Sequence, residues 1–178
     1  MTNPTVLKSV LVEGTEPNYE SCVCEEAIAP FELVKRTSDH GINGVKLLAA
    51  EDPPLDITGS GGFEVGIAEI HGAISNGISP YTTTKYDQST DYPDNGAVLV
   101  HWLNFGDKIV ALATAADHGA KIVGDPMIPQ TSGSLGDPDA EAAMDITAHT
   151  FVVYGREVET TDTLVQVRYV GVQGHDAA

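Results

Sequence analysis

The residues best able to move protons or hold a metal are six histidines: His40, His71, His101, His118, His149 and His175. No two lie four residues apart, so no helical metal pair forms. Asp39-His40-Gly41 and Asp117-His118-Gly119 read as hairpin turns, in which a histidine is solvated. His101 stands beside Trp102 on a strand, so alternation turns one of the two toward the core. Cys22 and Cys24 share one strand face. A disulfide between them would be strained and would close almost no loop. A zinc site would need further ligands that no second pair supplies, so both thiols are expected as small buried hydrophobes. Neither a G-x-S-x-G elbow nor a phosphate loop is present. Asp137, Asp139, Glu141 and Asp145 could face a hard cation. The D-x-[DN]-x-[DN]-G spacing is missing, however, and an acidic chain places such groups on a solvated helix by composition. The expectation is no catalytic residue, no cofactor and no metal.

Charge narrows the partners. The 178 residues carry 26 Asp+Glu against 9 Lys+Arg, a formal net charge of -17. Phosphate contacts need a basic face, so nucleic acid is excluded as a partner. An anionic membrane surface is excluded for the same reason. The acids are dispersed, from Glu13, Glu16 and Glu20 to Asp145 and Asp162. A dispersed coat is a property of the whole surface, and halophiles use it. At about 1 M salt the Debye length shrinks to about 3 Å and the repulsion is screened. At 42% hydrophobic and 20% charged residues the composition is globular. The opening Met-Thr-Asn-Pro-Thr has neither a basic nor an apolar leader region. The longest apolar run, Ile109 to Ala116, is far short of a membrane span. An aqueous compartment, the cytoplasm, is therefore expected as the site of synthesis.

The elements that must position these groups are mostly strands. Thr5 to Glu13 is β-branched and apolar, and Gly14 ends it. Glu20 to Glu26 is a short strand. Phe31 to Arg36 and Val45 to Ala49 frame a turn rich in Asp, His, Gly and Asn, which is a hairpin pattern. Phe63 to Ile70, Ala97 to Leu103, Lys108 to Thr114, Thr147 to Tyr154 and Thr163 to Tyr169 complete the strong strands. Phe105-Gly-Asp107 and Gly124-Asp-Pro126 are turns, and Gly133 to Gly136 is a flexible loop. Asp137-Pro-Asp-Ala-Glu has the N-cap, N1 proline and first-turn acids of a short helix over 137–144. The fold class is all-β: a small β-barrel or sandwich with long loops and one short helix.

This order of elements resembles head decoration (cement) proteins of tailed double-stranded DNA viruses. Ile28-Ala-Pro-Phe-Glu-Leu-Val34, Asp39-His-Gly41 and Gly44-Val-Lys-Leu-Leu-Ala49 are similar to their opening hairpin. Phe63 to Glu69 resembles the next strand, and the loop with Tyr81 and Asp91-Tyr92 their long insertion. Phe105-Gly-Asp-Lys-Ile-Val-Ala-Leu-Ala113 followed by Ile122-Val-Gly-Asp-Pro126 resembles their paired GD turns. Tyr154 to Glu159 through Leu164 to Tyr169 resembles the closing hairpin. The likeness covers about residues 28–171. Residues 1–27, the length of the 71–96 loop and the helix within 132–145 depart from it.

The resemblance implies a non-enzymatic structural protein on the outside of a virus capsid. Its partner would be the major capsid protein, which it would bind as a homotrimer at local three-fold positions. The location would be the virion surface, and with the acidic composition the host would be a halophilic archaeon or bacterium. The layout is then an N-terminal arm or edge strand over 1–18, a decoration domain over 19–171 with an insertion at 71–96, and a tail over 172–178. Thr5, Val6, Leu7, Val10, Leu11 and Val12 are the candidate capsid-contact arm, adding a strand to a neighbour's sheet. Competing expectations are a tail or spike component, marked by elongated repeats, and a small β-barrel ligand-binding protein or enzyme. The last would gather aromatics, His and carboxylates at one barrel end, and Trp102 is the only tryptophan.

Overall fold

A computed structural model describes residues 10–14, 18–37, 43–49, 64–70, 91–114, 122–130, 133–138, 146–155 and 164–175. The expectations on His40, His71 and His118, on Thr5, Val6 and Leu7, on Asp139, Glu141 and Asp145, and on most of the 71–96 loop fall outside these residues. Pro138 is helical where the short helix was expected to begin.

The fold is all-β and has two parts. Among the described residues eleven strands run in chain order: β1 (Leu11–Glu13), β2 (Tyr19–Cys24), β3 (Leu33–Thr37), β4 (Gly44–Leu47), β5 (Val65–Ala68), β6 (Ala97–Trp102), β7 (Lys108–Leu112), β8 (Pro126–Pro129), β9 (Leu135–Gly136), β10 (Ile146–Gly155) and β11 (Leu164–His175). Strands β2-β4-β3-β5-β6 close into a barrel, and the other six form a sheet in the order β1-β7-β11-β10-β8-β9. The expected hairpin is the antiparallel β3–β4 pair, with Val34 opposite Leu47. One barrel seam, β2–β4, is parallel.

Period-two alternation fills both cores. Val98, Val100 and Trp102 of β6 point into the barrel with Cys22, Cys24, Val34, Val45 and Ala68. Leu33, Val65 and Ile67 point outward. They join Ile109, Ala111, Phe151, Leu164 and Val167 of the sheet in one continuous core. The outer wall of the barrel is therefore the inner layer of a sandwich. Gly66 lets the chain close here, since a Cβ at that position would stand 2.4 Å from Val100 Cγ1 and 2.9 Å from Trp102 Cε3.

Four local expectations are corrected. His101 and Trp102 are both buried, because the face of β6 opposite the lumen is covered as well. Gly133 to Gly136 is not a free loop: Leu135 and Gly136 form β9 against Pro129 and Ile128. Pro126 opens β8 instead of closing a turn, an edge position where its missing N–H costs little. The strand expected to end at Tyr169 continues to His175, so residues 172–175 are strand and not tail.

Candidate functional site

Three turns repeat one design. In Asn104 to Asp107 and in Ile122 to Asp125 the third residue is a glycine with positive φ, +94° at Gly106 and +102° at Gly124. The fourth residue closes the turn through its own N–H, which donates to the carbonyl of the first at 3.1 Å in both. Its carboxylate also reaches back: Asp107 Oδ2 accepts from Asn104 N at 2.8 Å, and Asp125 Oδ2 from Ile122 N at 2.9 Å. This is type II turn chemistry with an acidic clamp.

Each turn is seated on a neighbouring strand. Gly106 N donates to Tyr169 O and Tyr169 N to Asp107 O, while Gly124 N donates to Val153 O and Val153 N to Asp125 O. Strand β7 then runs along β11, and β8 along β10. Since β10 and β11 are antiparallel neighbours with Val153 opposite Val167, the two turns flank this central pair from either side, seated about two residues apart in register.

The third example joins barrel to sheet. Ala29 to Glu32 closes through Glu32 N to Ala29 O at 3.3 Å, and Glu32 Oε2 accepts from Ala29 N at 2.7 Å. Phe31 N donates to Ala68 O and Ala68 N to Glu32 O, and β3 follows along β5. The glycine position is occupied by Phe31 at φ +72°, a conformation costly for a bulky residue. The side chain offsets that cost by burying itself in the shared core, and its carbonyl accepts from Leu112 N of β7. Burial, with Asp91 and Glu26 nearby, pushes the Glu32 carboxyl up to about 7 despite the Ala29 N–H bond that favours ionisation.

The first two turns differ from the third at their tips. Pro30 is buried, whereas Phe105 is 76% exposed, with Ile122 at 62% and Val123 at 63%.

Other described polar groups tie the barrel to its surroundings. At one barrel mouth Arg36 lies 4.2 Å from the Trp102 ring centroid and pairs with Glu20 and Glu64, both at 2.7 Å. Trp102 Nε1 donates to Glu20 Oε2 at 2.8 Å. The Arg36 bonds, helped by Trp102, hold the Glu20 carboxyl below its ordinary value although burial opposes them. Under the barrel, the buried Glu69 carboxylate accepts from Val10 N and Ile70 N. His101 packs 5.0 Å from the Tyr19 ring and 3.4 Å from Asp107 Oδ2. Burial pushes its pKa down while Asp107 opposes that shift.

The arm residues divide. Val10 is fully buried in the shared core, and Leu11 pairs with Ile109 of the chain's own sheet. Val12 is 44% exposed. These three therefore belong to an edge strand fixed at home, anchored through Glu69 and the Lys108–Glu13 ion pair, and not to a segment reaching a neighbour. Cys22 and Cys24 are free and buried, and burial pushes both thiols up to about 11. Among the described residues no three His, Cys, Asp or Glu side chains gather as a metal site, and no described helix is long and apolar enough to cross a membrane.

The signal for the first two turns, Gly-Asp before an apolar strand, was visible in the sequence. The third was hidden because Phe and Glu stand where Gly and Asp would be. No known family model matches this chain, and no curated protein matches it.

Proposed function

We propose that the chain is a structural, non-enzymatic component of a virus capsid. It binds the outside of the major capsid protein shell as a homotrimer and braces neighbouring subunits. The observation that supports this reading is the pair of equivalent Gly-Asp turns, one part of the order of turns and strands over residues 28–171 that resembles decoration proteins. Each is clamped by its own aspartate, seated on a central strand and tipped with exposed Phe105 or Val123. A small body with exposed apolar points on the two flanks of one strand pair is suited to touching two neighbours at once. The net charge of -17 suits a particle in brine, and the host is then a salt-loving microbe.

The test is composition and map of the purified particle. The chain should be present at a fixed ratio to the major shell protein, with three-lobed density at local three-fold positions. Its absence from purified virions, or a monomeric footprint, overturns the reading. Salt gives a second handle. A trimer carries three times the charge of one chain, and dilution from about 1 M to about 0.01 M stretches the Debye length from about 3 Å to about 30 Å. Thermal stability and particle occupancy should both fall along that series. A melting temperature that is flat or rising on dilution rejects the halophilic part.

A further inference from the structure

The two Gly-Asp turns share one clamp, but they differ in what lies against it. Asp107 Oδ2 accepts from Asn104 N and stands 3.4 Å from His101 Nε2, with the imidazole 0% and the carboxylate 1% exposed. Asp125 Oδ2 accepts from Ile122 N in the same way. The His101–Asp107 contact is the one histidine–carboxylate pair among the described residues.

His101 is enclosed from several sides. On β6 it stands between Tyr19 of β2 and Ile67 of β5, and the Tyr19 ring lies 5.0 Å away. Among the described residues Asp107 is the charged group that faces it, and Tyr19 is the other titratable one. The backbone of Gly14, just past β1, closes on the same carboxylate: an added Cβ there would collide with Asp107 Oδ1. Neither ring nitrogen of His101 has a hydrogen-bond partner among the described residues.

A neutral imidazole fits this place as an apolar ring. An imidazolium does not, because it carries two N–H donors and a charge, and burying these unpaired is costly. For one donor the nearest acceptor is Asp107 Oδ2, already bound to Asn104 N; for the other the described residues offer none. Proton uptake therefore requires the carboxylate to leave Asn104 N or the ring to leave its enclosure. Either movement shifts the turn that Asp107 clamps.

We propose that His101 and Asp107 form an acid-sensitive latch on the 104–107 turn: the neutral ring lets Asp107 hold the turn shut, and protonation releases the turn with its exposed Phe105 while the barrel stays closed. The sign follows from burial, which holds His101 below its ordinary 6.5 although Asp107 opposes the shift. The open form takes up the proton first, so the latch is closed above pH 6.5 and weakens as pH falls below it. With the open ring titrating at its ordinary value, the open fraction rises about thirtyfold between pH 7.5 and pH 5. The latch does not depend on the capsid reading.

Hydrogen exchange of single amides in the full chain, followed by NMR at pH 7.5 and pH 5 as protection factors, tests it. Both values lie above the ordinary carboxylate range. Protection of the Asn104, Gly106 and Asp107 amides should fall about ten- to thirtyfold in acid, with the shallow denaturant dependence of a local opening. The Ile122 and Gly124 amides should change less than about threefold, and Val98 and Val100 of the barrel should stay better protected than the turn. His101→Leu should abolish the fall at Asn104. His149→Gln, which alters the buried histidine bound to Tyr169, should leave it in place. Unchanged protection at Asn104, an equal fall at Ile122, or a fall that survives His101→Leu or vanishes in His149→Gln overturns the latch. A turn that opens only together with Val98 and Val100, on one denaturant slope, overturns it too, since the acid effect is then global unfolding. Should the His101→Leu protein not fold, the contrast between the two turns on the unaltered chain still decides.

Discussion

The barrel and the six-stranded sheet solve the same problem in opposite ways. The barrel has no edge and is plugged at one mouth by Arg36 stacked on Trp102, with Glu20 and Glu64 holding the guanidinium. Ile28 and Tyr92 bridge beyond the far end of β2, where the Tyr92 hydroxyl donates to Glu69 O at 2.6 Å. Its five strands pair with one another all the way round. The sheet stays open and carries the exposed tips Phe105, Ile122 and Val123. In this chain, then, closure serves stability and openness leaves surface for contact.

The comparison breaks most sharply at Trp102. Trp102→Ala should cost about 3–5 kcal/mol, because it leaves a cavity in the lumen and removes the platform for Arg36 and the hydrogen bond to Glu20. Denaturant unfolding measures this. A loss under 1 kcal/mol would mean that the barrel is not the stable half.

Next comes the junction turn. Glu32 has a folded-state pKa near 7, above its unfolded value of 4.5. Below 4.5 both states are protonated. Between 4.5 and 7 the folded state holds the extra proton, so stability falls as pH rises through that window. Glu32→Gln keeps an acceptor for Ala29 N and removes the buried charge. It should stabilise the protein at pH 8 by on the order of 1–2 kcal/mol, discounted because the carboxyl is partly exposed, and should change little at pH 4. His101 slopes the other way. Its lowered pKa means that the unfolded state binds the proton first, so stability drops as pH falls below 6.5. His101→Leu should flatten that acid limb, and parallel profiles for the two variants would refute one assignment.

The smallest effects belong to the sheet turns. Gly106→Ala and Gly124→Ala meet no neighbour within 4 Å, so only the positive φ penalises them, by about 1 kcal/mol each. Phe105→Ser should leave thermal stability within about 0.5 kcal/mol, since the ring is exposed. A larger loss would make Phe105 a packing residue.

How much of this the sequence displays depends on how local each cause is. The β3–β4 hairpin, β6 and β7 are visible because apolar alternation and turn residues lie within one short window. The parallel β2–β4 seam is not, since it depends on closure between distant strands. Strands β8 and β9 are masked by Pro126, Pro129 and Gly136, whose edge positions only the finished sheet defines. The end of β11 hides behind its glycines: Gly171 sits where the register with β10 shifts, which breaks the alternation. The burial of His101 has no local signal, because its cover comes from elsewhere in the chain. Of the six arm residues, the apolar pattern correctly marks a strand at Leu11 and Val12, but pattern alone cannot name the sheet it joins.

Synthesis gives the strand order a further meaning. Every barrel strand lies between Tyr19 and Trp102, so the barrel can close while the rest of the chain is still being made. The sheet cannot follow at once: β7 waits for its partner β11, whose last residue is His175. At roughly 5–20 residues per second that interval lasts several seconds. Throughout it Phe31, Leu33, Val65 and Ile67, the side chains that the sheet will cover, face solvent. The nascent chain is at its most adhesive during that delay, and a C-terminal truncation that removed β11 would make the delay permanent.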